Sequence, residues 1–338
     1  MKEALLWHTE DDKIRCDLCG RRCLIPVGSL GVCLVRKNIG GKLYSLNYGK
    51  LIAVHKDPIE KKPLYHFYPG SYAFSIASAG CGFMCKFCCN YEISQVYRDS
   101  GLREVVGEDH TPEDIVESAA SEGCKVISFT YTEPTVFFEF AYDVAKLAHA
   151  RGLKNSFVTN GYMTPEAVRE ISPYLDAATV DFKGSGDPET YRSFCGVADV
   201  EPIYSALLEM KDCGIHIEIT NLLIPRYGDD LEQFRRLVRW IREKLGDEVP
   251  LHILRFFPTY RLDDVPETPI GTLDRAYEIA REEGMKFVYL GNVPGRREDT
   301  YCPNCGELLI KRFGLWAVEL KIKNDRCPKC GTRIPVVL

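Results

Sequence analysis

The stretch Ala79-Gly80-Cys81-Gly82-Phe83-Met84-Cys85-Lys86-Phe87-Cys88 carries three cysteines at C-x3-C-x2-C spacing, directly after a strand-like run from Tyr72 to Ser78. Three thiolates this close on one loop can hold three irons of a four-iron cluster and leave the fourth iron without a protein ligand. An electron-transfer cluster ordinarily takes four cysteines, so the triad points to a cluster whose open iron binds a further group. The plainer reading is a zinc site, and the spacing and the preceding strand count against it. Cys89 stands next to Cys88. Adjacent thiolates suit one cubane poorly, so Cys89 is expected to be a small buried residue rather than a fourth ligand.

Fifteen cysteines in 338 residues ask which redox compartment the chain meets. No apolar stretch is long enough to span a bilayer, and the opening Met1 to His8 is too short and too polar for a signal peptide. The expectation is a cytoplasmic chain with reduced thiols, whose clusters bind metal rather than form disulfides. With 45% hydrophobic residues the chain can bury a full core. Its 43 basic against 48 acidic residues leave a net charge of -5, no electrostatic footprint for nucleic acid. A membrane partner is not expected either.

Two further cysteine sets flank the triad. Cys16, Cys19, Cys23 and Cys33 lie at C-x2-C-x3-C-x9-C spacing, and four thiolates suit a closed structural zinc site; a second iron-sulfur cluster is the competing reading. In the tail, Cys302-Pro303-Asn304-Cys305-Gly306 and Cys327-Pro328-Lys329-Cys330-Gly331 form two ribbon-type or rubredoxin-type knuckles around an apolar, hairpin-like middle. Zinc is the preferred ion there, and a single iron would give the same geometry.

Between these sets, short apolar runs alternate with amphipathic segments. Strands are predicted over 74–78, 126–130, 155–159, 177–182, 216–223, 252–257 and 287–290. Thr111-Pro112-Glu113-Asp114 and Thr164-Pro165-Glu166 read as capped helix starts. Such βα alternation implies a parallel sheet, doubly wound or rolled into a barrel. The chain divides into an amino-terminal metal-binding segment with its lead-in (1–70), a core (71–295) and a four-cysteine ribbon (296–338).

The triad, with aromatic Phe87 before its last cysteine, resembles the radical S-adenosylmethionine (SAM) superfamily. That resemblance implies an α/β fold, a partial (β/α)6 barrel with its site at the carboxyl ends of the strands. It also implies a 4Fe-4S cluster whose open iron is chelated by the amino and carboxylate groups of SAM. Phe87 would lie near the adenine. Thr132 and Glu133, in Thr130-Tyr131-Thr132-Glu133-Pro134, stand where the family carries a phrase ending Gly-Glu-Pro, with Glu133 toward the methionine amino group. Tyr131-Thr132 replaces two glycines there, a change in how closely the backbone can approach. Thr159 and Asn160 match a Thr-Asn-Gly phrase, and Asp181 and Lys183 resemble the Asp-x-Lys of glycyl-radical activating enzymes.

The amino-terminal quartet, the phrase Asp57-Pro58-Ile59-Glu60-Lys61-Lys62-Pro63-Leu64 and the tail knuckles together resemble the radical SAM enzyme of the AmmeMemoRadiSam system, which is similar to pyruvate formate-lyase activating enzyme. The activity this resemblance implies is reductive cleavage of SAM to a 5'-deoxyadenosyl radical that abstracts hydrogen from a protein or small molecule. An electron donor such as ferredoxin or flavodoxin and AMMECR-type and Memo-type proteins are the implied partners. A zinc-ribbon adaptor, an RNA-binding protein or an electron carrier without SAM chemistry is the alternative. His252, Arg255 and Tyr260 could face a substrate, and Cys195 is either a reactive thiol or an inert buried one.

Overall fold

Alternation of strand and helix fixes the architecture of the computed structural model, which describes residues 1–102 and 104–338. One sheet holds β1 (Ala53–Pro58), β2 (Tyr72–Ala77), β3 (Val126–Phe129), β4 (Lys154–Thr159), β5 (Ala177–Lys183), β6 (His216–Leu223), β7 (Leu251–Arg255) and β8 (Val288–Gly291), and its spatial order is the chain order. From β2 to β8 every pairing is parallel. Successive parallel strands are joined through α1 (Pro112–Ser121), α2 (Phe138–Ala150), α3 (Pro165–Ile171), α4 (Glu201–Asp212), α5 (Leu231–Lys244) and α6 (Ile270–Glu282). Among the described residues no pairing joins β1 to β8, so the α/β barrel is partial.

The predicted strands stand within two residues of their expected limits, and the two helix starts are capped as expected. Thr111 Oγ1 accepts the Asp114 N–H while the Asp114 carboxylate accepts the Thr111 N–H, a reciprocal capping box, and Thr164 Oγ1 accepts the Ala167 N–H. The sequence reading missed β1. It runs antiparallel to β2 at the sheet edge and ends on Pro58, a residue tolerated at strand ends and edges because it cannot donate to the ladder. The barrel sheet therefore begins before residue 71.

Both faces of the parallel strands are buried, as a sheet covered by helices requires. The outward face carries Phe74, Ile76, Phe129, Phe157, Val180, Phe182 and Ile219, which join the core beneath the helices. The inward face carries a polar layer beside an apolar one: Ser75, Ser128 and Ser156 are register neighbours on three strands and Thr179, Glu218 and His252 continue their layer, while Ala73, Val126 and Ala177 pack on Leu64 and Phe67. Glu218 accepts hydrogen bonds from His252 Nε2 at 2.8 Å, His216 Nε2 at 3.2 Å and the His66 backbone N–H at 2.7 Å. Those histidine contacts outweigh the effect of burial and hold its carboxyl well below the usual range.

The amino-terminal segment shares the barrel's core through Ala4, Ile14, Leu18, Ile25, Val35 and Leu43. It is pinned by the buried Arg36–Glu139 ion pair and by Thr164 Oγ1, which donates to the Asp17 carbonyl at 2.6 Å. The tail forms an antiparallel ribbon of β9 (Thr300–Tyr301), β10 (Leu308–Phe313) and β11 (Trp316–Leu320). Buried Arg312 donates to the Tyr65 carbonyl at 2.7 Å, the Glu298 carbonyl at 3.1 Å and Thr300 Oγ1 at 2.8 Å, so the ribbon bridges the lead-in and β8.

His66 sits inside that bridge. The Pro335 carbonyl, 3.1 Å from Nδ1, can only accept, so Nδ1 carries the proton and Nε2 accepts from the Tyr289 hydroxyl at 2.6 Å. Burial pulls its pKa down to about 3, so between there and about 6.5 the unfolded chain binds a proton that the folded chain does not. Stability should therefore fall as pH is lowered through this window. Urea titrations from pH 7 to 4 should show that slope in wild type and a shallower one in His66→Gln.

Candidate active site and metal centres

The cysteine triad lies on the loop that leaves β2 at the carboxyl end of the sheet. The loop is too irregular to pair with a strand, so its backbone groups find partners elsewhere. The Met84 and Lys86 N–H groups donate to the carbonyls of Cys195 and Phe194, both at 2.9 Å, and the Lys86 carbonyl accepts from Arg261 N at 2.9 Å. Gln95 Nε2 donates to the Phe83 carbonyl at 3.1 Å. Arg21 reaches from the amino-terminal segment to the carbonyls of Gly82 at 3.0 Å and Gly196 at 2.5 Å. Gly196 has φ of 66°, a left-handed backbone that favours glycine, and a Cβ there would meet Met84 Cε at 2.6 Å, so the Met84 side chain would have to move.

Cys81, Cys85 and Cys88 line one cavity of about 470 Å³ together with Phe87, Thr132, Asn160, Asp181 and Lys183. Five of the seven residues that the sequence marks as cofactor contacts are thus brought to the triad. The other two stand behind them. The Glu133 carboxylate is buried and accepts from Thr159 Oγ1 at 2.8 Å and the Asn160 N–H at 2.9 Å, so it locks the phrase after β4 against the turn after β3. Burial raises its pKa despite these donors. Asn160 Oδ1 accepts the Tyr162 N–H at 2.9 Å, and Thr132 Oγ1 donates to the Ser78 carbonyl at 2.8 Å.

Asp181 and Lys183 share one face of β5, as their two-residue spacing requires, with Lys183 Nζ 3.9 Å from Asp181 Oδ2. Asp181 also accepts from Thr220 Oγ1 at 2.5 Å. Burial disfavours the Lys183 ammonium, but Asp181 and the thiols of Cys85, Cys195 and Cys81 outweigh it and raise its pKa. Cys195 is fully buried, and its thiol, with burial, raises the pKa of Cys85. Cys89 departs from expectation: it is exposed, because its side chain turns from the loop into the cavity mouth instead of the core.

A second cavity of about 670 Å³ adjoins the first and shares Cys89, Asn90, Tyr131, Thr132, Asp181, Leu254 and Asn292 with it. Its wall adds Glu60, Lys62, His252 and, from the tail side, Glu298 and Leu315. Of the substrate-facing expectations, His252 lies on this wall and Arg255 on the first cavity, whereas Tyr260 stacks on Tyr91 at 4.6 Å outside both. Sequence reasoning assigned no role to Lys62, whose ammonium lies 2.7 Å from Asp57 and 4.2 Å from the centre of the Tyr131 ring. Burial draws it down to about 8 against the pull of Asp57. Tyr131 itself sits at φ of 62°, a conformation easier for glycine, and its hydroxyl donates to Asp57. Its unusual place in the Tyr131-Thr132-Glu133 phrase was the one legible signal for this trio.

The profile of the radical SAM superfamily matches residues 75–241, from β2 into α5. The uncharacterized protein MJ0808 of Methanocaldococcus jannaschii is 45% identical over 342 aligned positions, covering all of both chains. The chain belongs to the radical SAM superfamily. Among solved structures it resembles Streptococcus suis SuiB bound to S-adenosylmethionine, with a TM-score of 0.51 and 14% identity over 69% of this chain and 53% of that one. It also resembles a radical SAM methyltransferase from Sphaerobacter thermophilus, with a TM-score of 0.50 and 15% identity over 72% and 71% of the two chains. At these identities the likeness is one of fold. Three thiols on one cavity are the donor set a radical SAM cluster needs, and Asn160, Asp181 and Lys183 supply polar groups suited to SAM beside them. No helix is long and apolar enough to cross a membrane.

The two four-cysteine sets differ in geometry. In the tail, Cys302 and Cys330 sulfurs lie 3.6 Å apart, as do those of Cys305 and Cys327, and all four lie within 4.8 Å of one another, close enough to share a single ion. Cys16, Cys19, Cys23 and Cys33 also come together, around one small cavity, but without that convergence.

Glu133→Ala leaves the Thr159 hydroxyl and Asn160 N–H without their acceptor, which should cost about 1.4 kcal/mol in SAM binding, roughly tenfold in Kd by equilibrium dialysis. Cys327→Ser removes a ligand from any ion the tail quartet takes up, and should lower both the bound metal and, by several degrees, the melting temperature, read by metal analysis and calorimetry.

Proposed function

We propose that this radical SAM protein cleaves SAM reductively and directs the resulting 5'-deoxyadenosyl radical to abstract hydrogen from a substrate held in the larger cavity. The observation that carries the reading is continuity: the triad cavity and the larger cavity share a wall, so a group bound beside Asp181 and Thr132 faces both. A 4Fe-4S cluster held by Cys81, Cys85 and Cys88 would supply the electron and an open iron for SAM. The chain's own residues do the positioning. Phe87 offers an aromatic face for the adenine, Asn160 and Thr132 offer hydrogen-bonding groups, and Lys183 and Asp181 offer opposite charges for the methionine end. Glu133 holds Asn160 in place from behind.

The substrate end sets a few charged and hydrogen-bonding groups in a largely apolar wall. Lys62, Asp181 and His252 line the larger cavity, which suits a small molecule or a peptide side chain bearing charged or hydrogen-bonding groups. The resemblance of residues 57–64 and the two cysteine quartets to the AmmeMemoRadiSam enzyme extends the reading to AMMECR-type and Memo-type partner proteins, with a ferredoxin or flavodoxin as electron source.

Anaerobically reconstituted protein given dithionite and SAM should yield 5'-deoxyadenosine, and the triple variant Cys81→Ala, Cys85→Ala, Cys88→Ala should yield none. A fully loaded wild-type cluster that releases no deoxyadenosine would sink the proposal.

A further inference from the structure

The sulfurs of the amino-terminal quartet are not gathered as closely as those of the tail quartet. A closed tetrathiolate zinc site holds each sulfur about 2.3 Å from the metal, which sets the sulfurs roughly 3.8 Å apart by tetrahedral geometry. The tail quartet meets that spacing, at 3.6 Å for two of its pairs. Among the described residues, it is the one group of three or more ligand residues whose atoms all lie within 4.8 Å of one another. Cys16, Cys19, Cys23 and Cys33 do not close to that radius, and neither do the three cysteines of the radical SAM loop. The quartet therefore shares its wider spacing with a cluster site and not with the ion site of the same chain.

All four cysteines line a cavity of about 20 Å³, room for a water-sized sphere. The centre of a closed zinc site, about 2.3 Å from every sulfur, has no such room. In a four-iron cluster each thiolate binds a different iron, so the four sulfurs stand at the corners of a larger tetrahedron.

The surroundings suit a buried anion. Arg21 and Arg36 line the cavity, and Arg36 Nη1 donates to Cys16 Sγ at 3.2 Å. Arg36 is buried, and its Nε has no hydrogen-bond partner although Glu139 pairs with the same guanidinium. Gly82, between Cys81 and Cys85, lines the cavity as well, and Arg21 donates to its carbonyl at 3.0 Å. The Cys33 carbonyl lies 3.6 Å from where a Cβ on Gly80 would stand. The quartet is thus set directly against the outer side of the radical SAM loop.

We propose that Cys16, Cys19, Cys23 and Cys33 hold a second four-iron cluster, fully ligated by the chain, behind the loop that carries the triad. Four thiolates leave no open iron, so this cluster exchanges single electrons and binds no SAM.

The test uses the full-length Cys81→Ala, Cys85→Ala, Cys88→Ala variant, in which the triad site has no ligands, so its outcome is independent of the proposed SAM cleavage. After anaerobic reconstitution with iron and sulfide it should retain about four acid-labile sulfides per chain. Dithionite should give it a low-temperature paramagnetic signal that SAM leaves unchanged. The tail ion brings no sulfide and does not enter the count. Sulfide near zero, with zinc retained at the quartet, would overturn the proposal, as would a signal that shifts with SAM. Should circular dichroism show the variant unfolded, wild type decides the question with about eight sulfides per chain against about four, and Cys33→Ser should lower that number.

Discussion

The loop from Cys81 to Cys88 has no strand partner, and the need to satisfy its backbone polar groups organises much of the molecule around it. Its carbonyls and N–H groups are met by Arg21 from the amino-terminal segment, by Gln95 just downstream, by residues 194–195 after β5 and by Arg261 after β7. Segments distant in sequence are thereby drawn to one end of the barrel. Each is anchored in turn: the amino-terminal segment through Arg36 and Glu139, and the 194–196 turn through a glycine whose backbone no other residue adopts as easily. A rigid loop is what a cluster with an open coordination position needs, since any slack would move the reacting atoms.

Inside the barrel a layer of polar side chains is buried. The phenylalanines of β2 to β5 face the helices, while serines, a threonine, a glutamate and a histidine face the axis beside Ala73, Val126 and Ala177. Glu218 shows how such a layer is tolerated, because its charge is met by two imidazoles and a backbone N–H in a site closed to solvent. The polar layer lies beneath the larger cavity and continues its chemistry downward from His252 and Asp181.

The strands and capped helices were legible because parallel strands buried on both faces leave dense apolar runs, and Thr-Pro-Glu starts are unambiguous. The triad was legible from spacing alone. The edge strand β1 was not, since His55, Lys56 and Asp57 interrupt any apolar pattern and the strand is defined by its pairing with β2. Lys62 was hidden for a similar reason: a run of Glu60-Lys61-Lys62 reads as a solvated turn, and only the fold shows that Tyr131 and Asp57 bury one of its ammonium groups. Spacing also could not separate an ion from a cluster at the amino-terminal quartet, because four cysteines in sequence carry no information about how far apart their sulfurs end up.

The open barrel is closed by the ribbon and not by a strand pair. Arg312 meets Tyr65 across 247 positions of chain and Pro335 meets His66 across 269, whereas every strand of the sheet pairs with the next one along the sequence. Contacts of such separation demand the largest loop-closure entropy. The seam of the barrel is therefore held by the contacts most distant in sequence. A ribbon that came away would leave every pairing of the sheet in place and uncover the seam beside the lead-in.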